Sequence, residues 1–384
     1  MLPVPFRHVT IDDTFWAPRI QRNRESTLPF IYQNLQETGR IDALRLTWKP
    51  GDEPMPHIFW DSDIGKWIEA ASNSLATTPD PALKQQVDDV IDLLAQGQHA
   101  DGYLNTYFTV VAPGKRWTNL RDLHELYCAG HLIEGAVAHY QATGERKLLD
   151  IMCRYVDFIA QTFGKQSGQK PGYDGHEEIE LALIKLYHAT NDARYLELSR
   201  YFVDERGRQP HYFDNEARER GEDPQAFEMG TYEYNQSHLP VLEQTQVVGH
   251  AVRAMYLNSA LADLAREQDD ERLFAACRRL WDHLTTTRMY LTGGIGTSAR
   301  NEGFTRDYDL PNETAYAETC AAIGLVFWAH RMLQLDCNRA YADVMELALY
   351  NRVLSGVSLS GDRFFYEDPL ASDGTVHRQY WPDV

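Results

Sequence analysis

Residues 124–162, HELYCAGHLIEGAVAHYQATGERKLLDIMCRYVDFIAQT, decide the fold. In the second half Leu148, Met152, Tyr155 and Ile159 recur at the spacing of one helix face, so this segment predicts an amphipathic helix with a single buried side. Thr143-Gly144-Glu145 stops the helix before it and starts the next. The stretch is therefore a helical hairpin.

The pattern continues outward from this hairpin in both directions. Comparable turns lie at Thr78-Pro79-Asp80-Pro81, Asn191-Asp192-Ala193, Asp269-Asp270-Glu271 and Asp336-Cys337-Asn338, which gives five hairpins from residue 61 onward. Leu273, Cys277, Leu280 and Leu284 form a second outer face like that of Leu148 to Ile159. A lone helix between Arg19 and Glu37 brings the total to about eleven. These elements predict an all-α domain, a closed toroid of about six hairpins in which a further helix after residue 384 would partner the first. The toroid is thus expected to be incomplete at its C-terminal end, with residues 1–384 forming one domain. Residues 206–245, charged and rich in Tyr, read as a long excursion over the ring mouth, and residues 357–384 as short strand-like and loop segments.

Composition narrows the partners. Fifty-six acidic against 37 basic residues give a formal charge of -19, and no basic stripe offsets it, so nucleic acid is excluded as a partner. No apolar run approaches the roughly 18 residues of a membrane span, and the first residues lack the order of a secretory signal. Five scattered cysteines, Cys128, Cys153, Cys277, Cys320 and Cys337, form no CxxC pair, which fits free thiols in a reducing compartment. A cytoplasmic location without membrane attachment is expected.

Chemistry gathers where the first helix of each hairpin begins. Asp61-Ser62-Asp63, His124-Glu125, Gly175-His176-Glu177-Glu178, Gly249-His250 and Glu318-Thr319-Cys320 occupy successive starts. In a toroid the inner helices run the same way, so these starts would converge at one end of the cavity. A single His there is usually structural; three in equivalent places, in a residue type that is not a favoured cap, point to a polar pocket. His131, His188 and His330 read instead as packing or surface residues.

The loop from Leu291 to Asn312 contains Gly293, Gly294 and Gly296, but no Lys-Ser/Thr follows and no βαβ strand precedes, so it is not a phosphate cradle. It reads as a flexible loop presenting Glu302, whose carboxyl could serve acid/base chemistry if its surroundings raise its pKa. Glu318 and Cys320 could share one ion only if a helix begins between or just after them. A carboxylate and a thiolate suit zinc, yet two ligands are half a tetrahedral shell, and Cys128 is the remaining internal thiol that could add to it. Cys320 read as a small core residue stays an alternative.

Together, Phe59-Trp60-Asp61-Ser62-Asp63 with Lys66-Trp67, Asp101-Gly102-Tyr103-Leu104, His124-Glu125-Leu126-Tyr127, Asp174-Gly175-His176 with Glu180-Leu181-Ala182-Leu183, Gly249-His250-Ala251-Val252-Arg253, and Tyr308-Asp309-Leu310-Pro311-Asn312 with Glu318-Thr319-Cys320 resemble glycoside hydrolase family 127, the β-L-arabinofuranosidases. The match runs in order over nearly the whole chain. The resemblance implies an (α/α)6 toroid followed by β-sandwich domains, and release of terminal β-L-arabinofuranosyl residues with retention from an arabinofuranose-containing oligosaccharide or glycoconjugate. It implies a Zn2+ ion held by one glutamate and three cysteines, one of which is the nucleophile. Glu318 and Cys320 match two ligands, and the other two belong to a Cys-Cys-Pro motif expected just after a segment like Tyr380-Trp381, beyond Val384. By the same resemblance Glu302 is the general acid/base, His124, His176 and His250 bind the sugar, and Glu346 and Tyr366 line the pocket. Asp63 is added as a further substrate-binding residue.

Residues 1–384 taken alone are accordingly expected to have little activity. The sequence is compatible with a homodimer. Two competing readings share the toroid: a sugar epimerase or isomerase, which needs no metal-binding cysteine, and a non-catalytic sugar-binding ring.

Overall fold

The structure, a computed structural model, describes residues 3–227, 229–372 and 374. Among the described residues fifteen α-helices follow one another: α1 Trp16–Arg22, α2 Leu28–Glu37, α3 Arg40–Ala43, α4 Trp60–Thr77, α5 Pro81–Gly97, α6 Tyr107–Val110, α7 Glu125–Thr143, α8 Lys147–Thr162, α9 Ile179–Thr190, α10 Ala193–Glu205, α11 Tyr212–Glu219, α12 Ala251–Glu267, α13 Glu271–His283, α14 Thr319–Leu335 and α15 Arg339–Ala348. Among the described residues the only β pairing is isolated bridges, so the class is all-α. The five hairpins expected from sequence are α4/α5, α7/α8, α9/α10, α12/α13 and α14/α15.

The turns use the predicted chemistry. Asp80 caps α5 by accepting the N–H groups of Ala82 and Leu83, Asp270 caps α13 in the same way, and Asn338 caps α15 through Ala340. Gly144 and Asn191 close α7 and α9 in the left-handed conformation. Each cap stabilises its helix by about 1 kcal/mol. The expected first helix, Arg19 to Glu37, is α1 and α2 joined by one widened turn over Asn23–Thr27, with Pro29 in the first turn of α2.

By internal contacts the described residues divide into two compact units, one of residues 4–202 with 219–221 and one of residues 203–218 with those described from 222 onward. In the first, α7 packs against both α4 and α9. It is buried on every side from Cys128 to His139, whereas α8 buries only the face of Leu148, Leu149, Ile151, Met152, Tyr155, Val156 and Ile159. A helix buried all round lies inside and an amphipathic one outside, which is the division that the sequence periodicity predicts.

The second unit repeats the division. Every residue of α12 from Ala251 to Ala265 is buried, against one face of α13 that includes Leu273, Cys277 and Leu280. Helix α14 packs on α12, with Gly324 against Met255. Residues 206–245, read from sequence as an excursion, have a packed interior of their own: the buried Arg206 guanidinium donates to the Asn235 carbonyl at 2.9 Å, and His211 stacks on Tyr232 with ring centroids 3.6 Å apart. The Tyr380-Trp381 segment lies outside the described residues.

The α4–α7 contact depends on two glycines. A Cβ on Gly65 would sit 2.5 Å from the His131 carbonyl oxygen, and one on Gly135 2.7 Å from that of Gly65. Helix propensity alone makes Gly135→Ala stabilising by about 1 kcal/mol. Steric exclusion reverses that sign, and urea unfolding should show a net loss of about 1–3 kcal/mol. Equal or higher stability of the variant would contradict this packing.

Candidate active site

The second unit builds a carboxylate site around the start of α12. His250 is the N-cap residue, and its Nδ1 accepts the backbone N–H groups of Val252 and Arg253 at 3.1 and 3.4 Å. A backbone N–H can only donate, so Nδ1 carries no proton and the imidazole proton lies on Nε2. Burial lowers the His250 pKa, which keeps the ring neutral. Nε2–H then donates to Glu302 Oε2 at 3.1 Å. The expectation that His has no capping role is thus corrected for His250: an imidazole nitrogen does the capping, and the opposite nitrogen is thereby aimed at the carboxylate.

Glu302 is fixed by backbone as well. It adopts φ +48°, a left-handed conformation that costs a non-glycine residue about 1–2 kcal/mol. Its carbonyl accepts the Ala251 N–H at 3.0 Å, and the Phe304 N–H reaches the Gly249 carbonyl at 2.9 Å. Bridges from Gly303 to His250 and to Ser298 complete the tie. The loop read from sequence as flexible is therefore stapled to the start of α12. Gly249 and Gly303 permit this approach, since a Cβ on Gly303 would lie 1.8 Å from the Gly249 oxygen.

The surroundings set the charge of Glu302. Burial raises its pKa, but the His250 hydrogen bond, the Arg253 cation and the Tyr316 hydroxyl together outweigh burial and hold it below the usual value. Glu302 is ionised in this geometry, opposite in direction to the raised carboxyl expected from sequence. The three polar neighbours are invisible in a local reading of the loop, because they come from α12 and from the segment before α14.

Glu318 is the N-cap residue of α14, with extended ψ, and Cys320 is the second residue of the helix. The helix starts between them, which meets the geometric condition set out from the sequence. Ligand atoms of His250, Glu302 and Glu318 all lie within 4.8 Å of one another. Tyr366 reaches this group from the tail: its carbonyl accepts the Thr319 N–H at 3.0 Å, and its ring centroid lies 6.3 Å from that of Tyr316. Burial raises the Tyr366 phenol, and the charges of Glu318, Cys320, Tyr316 and Glu302 add to it. Tyr316, which lies in no quoted motif, and Arg253, which ends the Gly249–Arg253 motif but carries no assigned role there, thus belong to the site.

Glu346 is exposed on α15, and its side chain makes no hydrogen bond or ion pair among the described residues. Cys128, weighed as a further metal ligand, is buried in α7, where its thiol donates to the Ile58 carbonyl at 3.4 Å and burial pushes it well up.

The first unit gathers the other two histidines. His124, the N-cap residue of α7, has its ring 5.7 Å from that of His176, and the Tyr127 ring lies 4.3 Å from His176. His176 precedes the start of α9 by three residues, and its Nδ1–H donates to the Glu177 carbonyl at 3.0 Å, leaving Nε2 as the acceptor. Asp63 is engaged otherwise, in a 2.8 Å ion pair with Arg40. Asp61 and Glu125 serve the scaffold: Asp61 accepts the Thr106 N–H at 2.7 Å, and Glu125 the Tyr103 hydroxyl and the Trp117 N–H.

Beneath Tyr127 lies a buried network of His131, Glu134 and Glu178, with Lys185 bonded to Glu134. Burial pushes His131 down to about 4, so it is neutral at pH 7. Burial raises Glu134 too, but Lys185 and the bonds from His131 and Glu178 bring it well below the usual value. Glu178 is raised well above it by burial and by the Glu134 charge. One carboxylate and one carboxylic acid therefore share the network.

The sequence model of the GH127 β-L-arabinofuranosidase catalytic domain matches residues 8–383. The chain belongs to this family. It is 37% identical over 389 residues to a non-reducing end β-L-arabinofuranosidase of Bifidobacterium longum subsp. longum, covering 94% of this chain and 59% of that protein. A GH127 β-L-arabinofuranosidase from Geobacillus stearothermophilus T6 superimposes with a TM-score of 0.92 and 52% identity, over 94% of this chain and 58% of the other. A second GH127 β-arabinofuranosidase superimposes at 0.90 and 41%, over 99% and 58%. The chain thus spans less than three fifths of the length of each of these relatives. The GH127 fold is the all-α (α/α)6 class. No described helix is long and apolar enough to cross a membrane.

The buried pair in this GH127 chain separates by charge. Because Glu178 is already neutral, Glu178→Gln should leave thermal stability at pH 7 equal or higher. A raised carboxyl gives stability that is complete below its unfolded pKa and fades as pH rises through the folded value, so the advantage of Gln should grow with pH. Glu134→Gln removes the anion of the network and leaves Lys185 only Glu69, at 3.3 Å, so it should cost about 1–3 kcal/mol. Equal losses in the two variants would refute the assignment.

Proposed function

We propose that this GH127 chain is the helical catalytic part of a glycosidase that releases terminal β-L-arabinofuranosyl residues with retention, Glu302 being its general acid/base. The observation that carries the reading is a half-buried carboxylate on a stapled backbone, hydrogen-bonded by a neutral histidine and next to Glu318. The substrate is an arabinofuranose-containing oligosaccharide or glycoconjugate. His124, His176 and His250 would bind sugar hydroxyls, and Tyr366, with its phenol held protonated, would donate to one. Glu346 and Asp63 are retained as secondary binding residues, Asp63 through the Arg40 it anchors.

Retention requires two displacements, and Glu302 serves both. In the first, its carboxylic acid gives a proton to the departing oxygen as the anomeric carbon–oxygen bond breaks. In the second, its carboxylate takes a proton from water as the new bond to that carbon forms. The resting charge of Glu302 suits the second step. Its proton for the first arrives when a bound sugar excludes water from the site, which adds desolvation to a carboxyl already subject to it.

The attacking group in this reading is a zinc-bound cysteine that is not among residues 1–384. Glu318 and Cys320 would hold the zinc with two further cysteines, and they fit it: a hard and a soft donor flank the first residue of α14. Zinc bound there would keep sulfur as thiolate at neutral pH. Five cysteines, none of them in a disulfide, are consistent with a reducing, cytoplasmic setting.

In a longer chain that hydrolyses p-nitrophenyl β-L-arabinofuranoside, Glu302→Gln should lower kcat/KM by about 10²–10⁴ on substrates with an alkyl leaving group and far less on p-nitrophenyl. Equal losses on both would remove Glu302 from the acid role.

A further inference from the structure

Beside the His250–Glu302 pair the second unit holds a cavity of about 320 Å³. It is lined by residues from 229–234, 246–249 and 301–306, together with Arg288. That volume is at the small end of ligand sites, about 300–1,000 Å³. The cavity shares a wall with the carboxylate site. Tyr234 lines it, and the same ring meets His250 edge-on at 5.6 Å and lies under the Arg253 guanidinium at 4.3 Å. Gly249 and Asn301, which also line it, are the chain neighbours of His250 and Glu302.

The polar groups around this space differ in how they are used. Arg288 is committed: its guanidinium donates to Asp307 at 2.9 Å and to the Val247 carbonyl at 2.7 Å. Glu233 and Arg306 are exposed, and their side chains make no hydrogen bond or ion pair among the described residues, with each other or with any neighbour. One cation and one anion in a single cavity, each with its hydrogen-bonding capacity unspent, disfavour a charged ligand, since either sign meets a like charge. They suit a neutral ligand rich in hydroxyls, which can donate to the carboxylate and accept from the guanidinium at once. The Tyr234 and Phe304 rings add faces for the C–H side of such a ligand.

We propose that this cavity is a subsite for a second sugar, a neutral pentose or hexose unit on the leaving-group side of the scissile bond, held by Glu233 and Arg306. The inference rests on the proposed glycosidase reading: an enzyme that removes a terminal residue has only the leaving-group side left for further units. Glu233 and Arg306 are then positioning residues that set preference among glycans without touching the reacting atoms.

Calorimetric titration of the full chain with methyl β-L-arabinofuranoside, and with a disaccharide of two β-L-arabinofuranosyl units, tests this. The wild-type chain should bind the disaccharide more tightly than the methyl glycoside. Glu233→Ala and Arg306→Ala should each weaken the disaccharide by about tenfold, leaving the methyl glycoside and the melting temperature unchanged. Equal affinity for the two ligands, or losses that fall equally on both or on neither, would overturn the subsite. Preference for a galacturonate disaccharide would overturn the neutral-sugar class. The glycosidase reading fails separately, if His250→Ala leaves the binding of methyl β-L-arabinofuranoside unaltered.

Discussion

A single imidazole joins the fold to the chemistry. His250 spends one nitrogen on the first turn of α12, and that bond fixes which nitrogen holds the proton and where it points. The other nitrogen meets Glu302. Because α12 is buried along almost its whole length, the cap cannot drift without disturbing the core of its unit. The rigidity of a central helix is thereby lent to one hydrogen bond in the site, which is the kind of support that precise positioning of a carboxylate needs.

The backbone around this bond is crowded to a degree that only glycine tolerates. Gly249 and Gly303 bring two chain segments within contact that any side chain would block, and Glu302 takes a left-handed conformation between them. Strain of this kind persists only where its surroundings over-determine it. Here those surroundings are the Ala251 and Phe304 amide bonds, so conformational energy is spent on placing one carboxylate. Glu318 and Cys320 flank the residue on which α14 begins.

The helical hairpins were legible in the sequence because periodicity and turn chemistry are local. Leu148 to Ile159 and the Asp80, Gly144 and Asp270 turns all do in space what their spacing implies. The grouping of His250, Glu302 and Glu318 was legible as a set of residues, though not as a charge state. The ionisation of Glu302 depends on Arg253 and Tyr316, which lie one turn into a helix and fourteen residues downstream, and neither looks chemical in the linear chain. The loop carrying Glu302 reads as flexible from its glycines, yet those glycines are what let it be pinned. His131 reads from sequence as a packing or surface residue; it is buried, and its carboxylate and carboxylic acid partners converge from α7 and the start of α9, a pairing that only the three-dimensional contact reveals.

The account turns on the tautomer of His250. Nitrogen-15 NMR of the imidazole, with His250 assigned through a His250→Gln variant, reads both ring nitrogens directly. The prediction is a neutral ring at pH 7 with the proton on Nε2 and an unprotonated Nδ1 accepting from the helix. A proton on Nδ1, or an imidazolium at that pH, would break the link between the α12 cap and Glu302 and contradict the account.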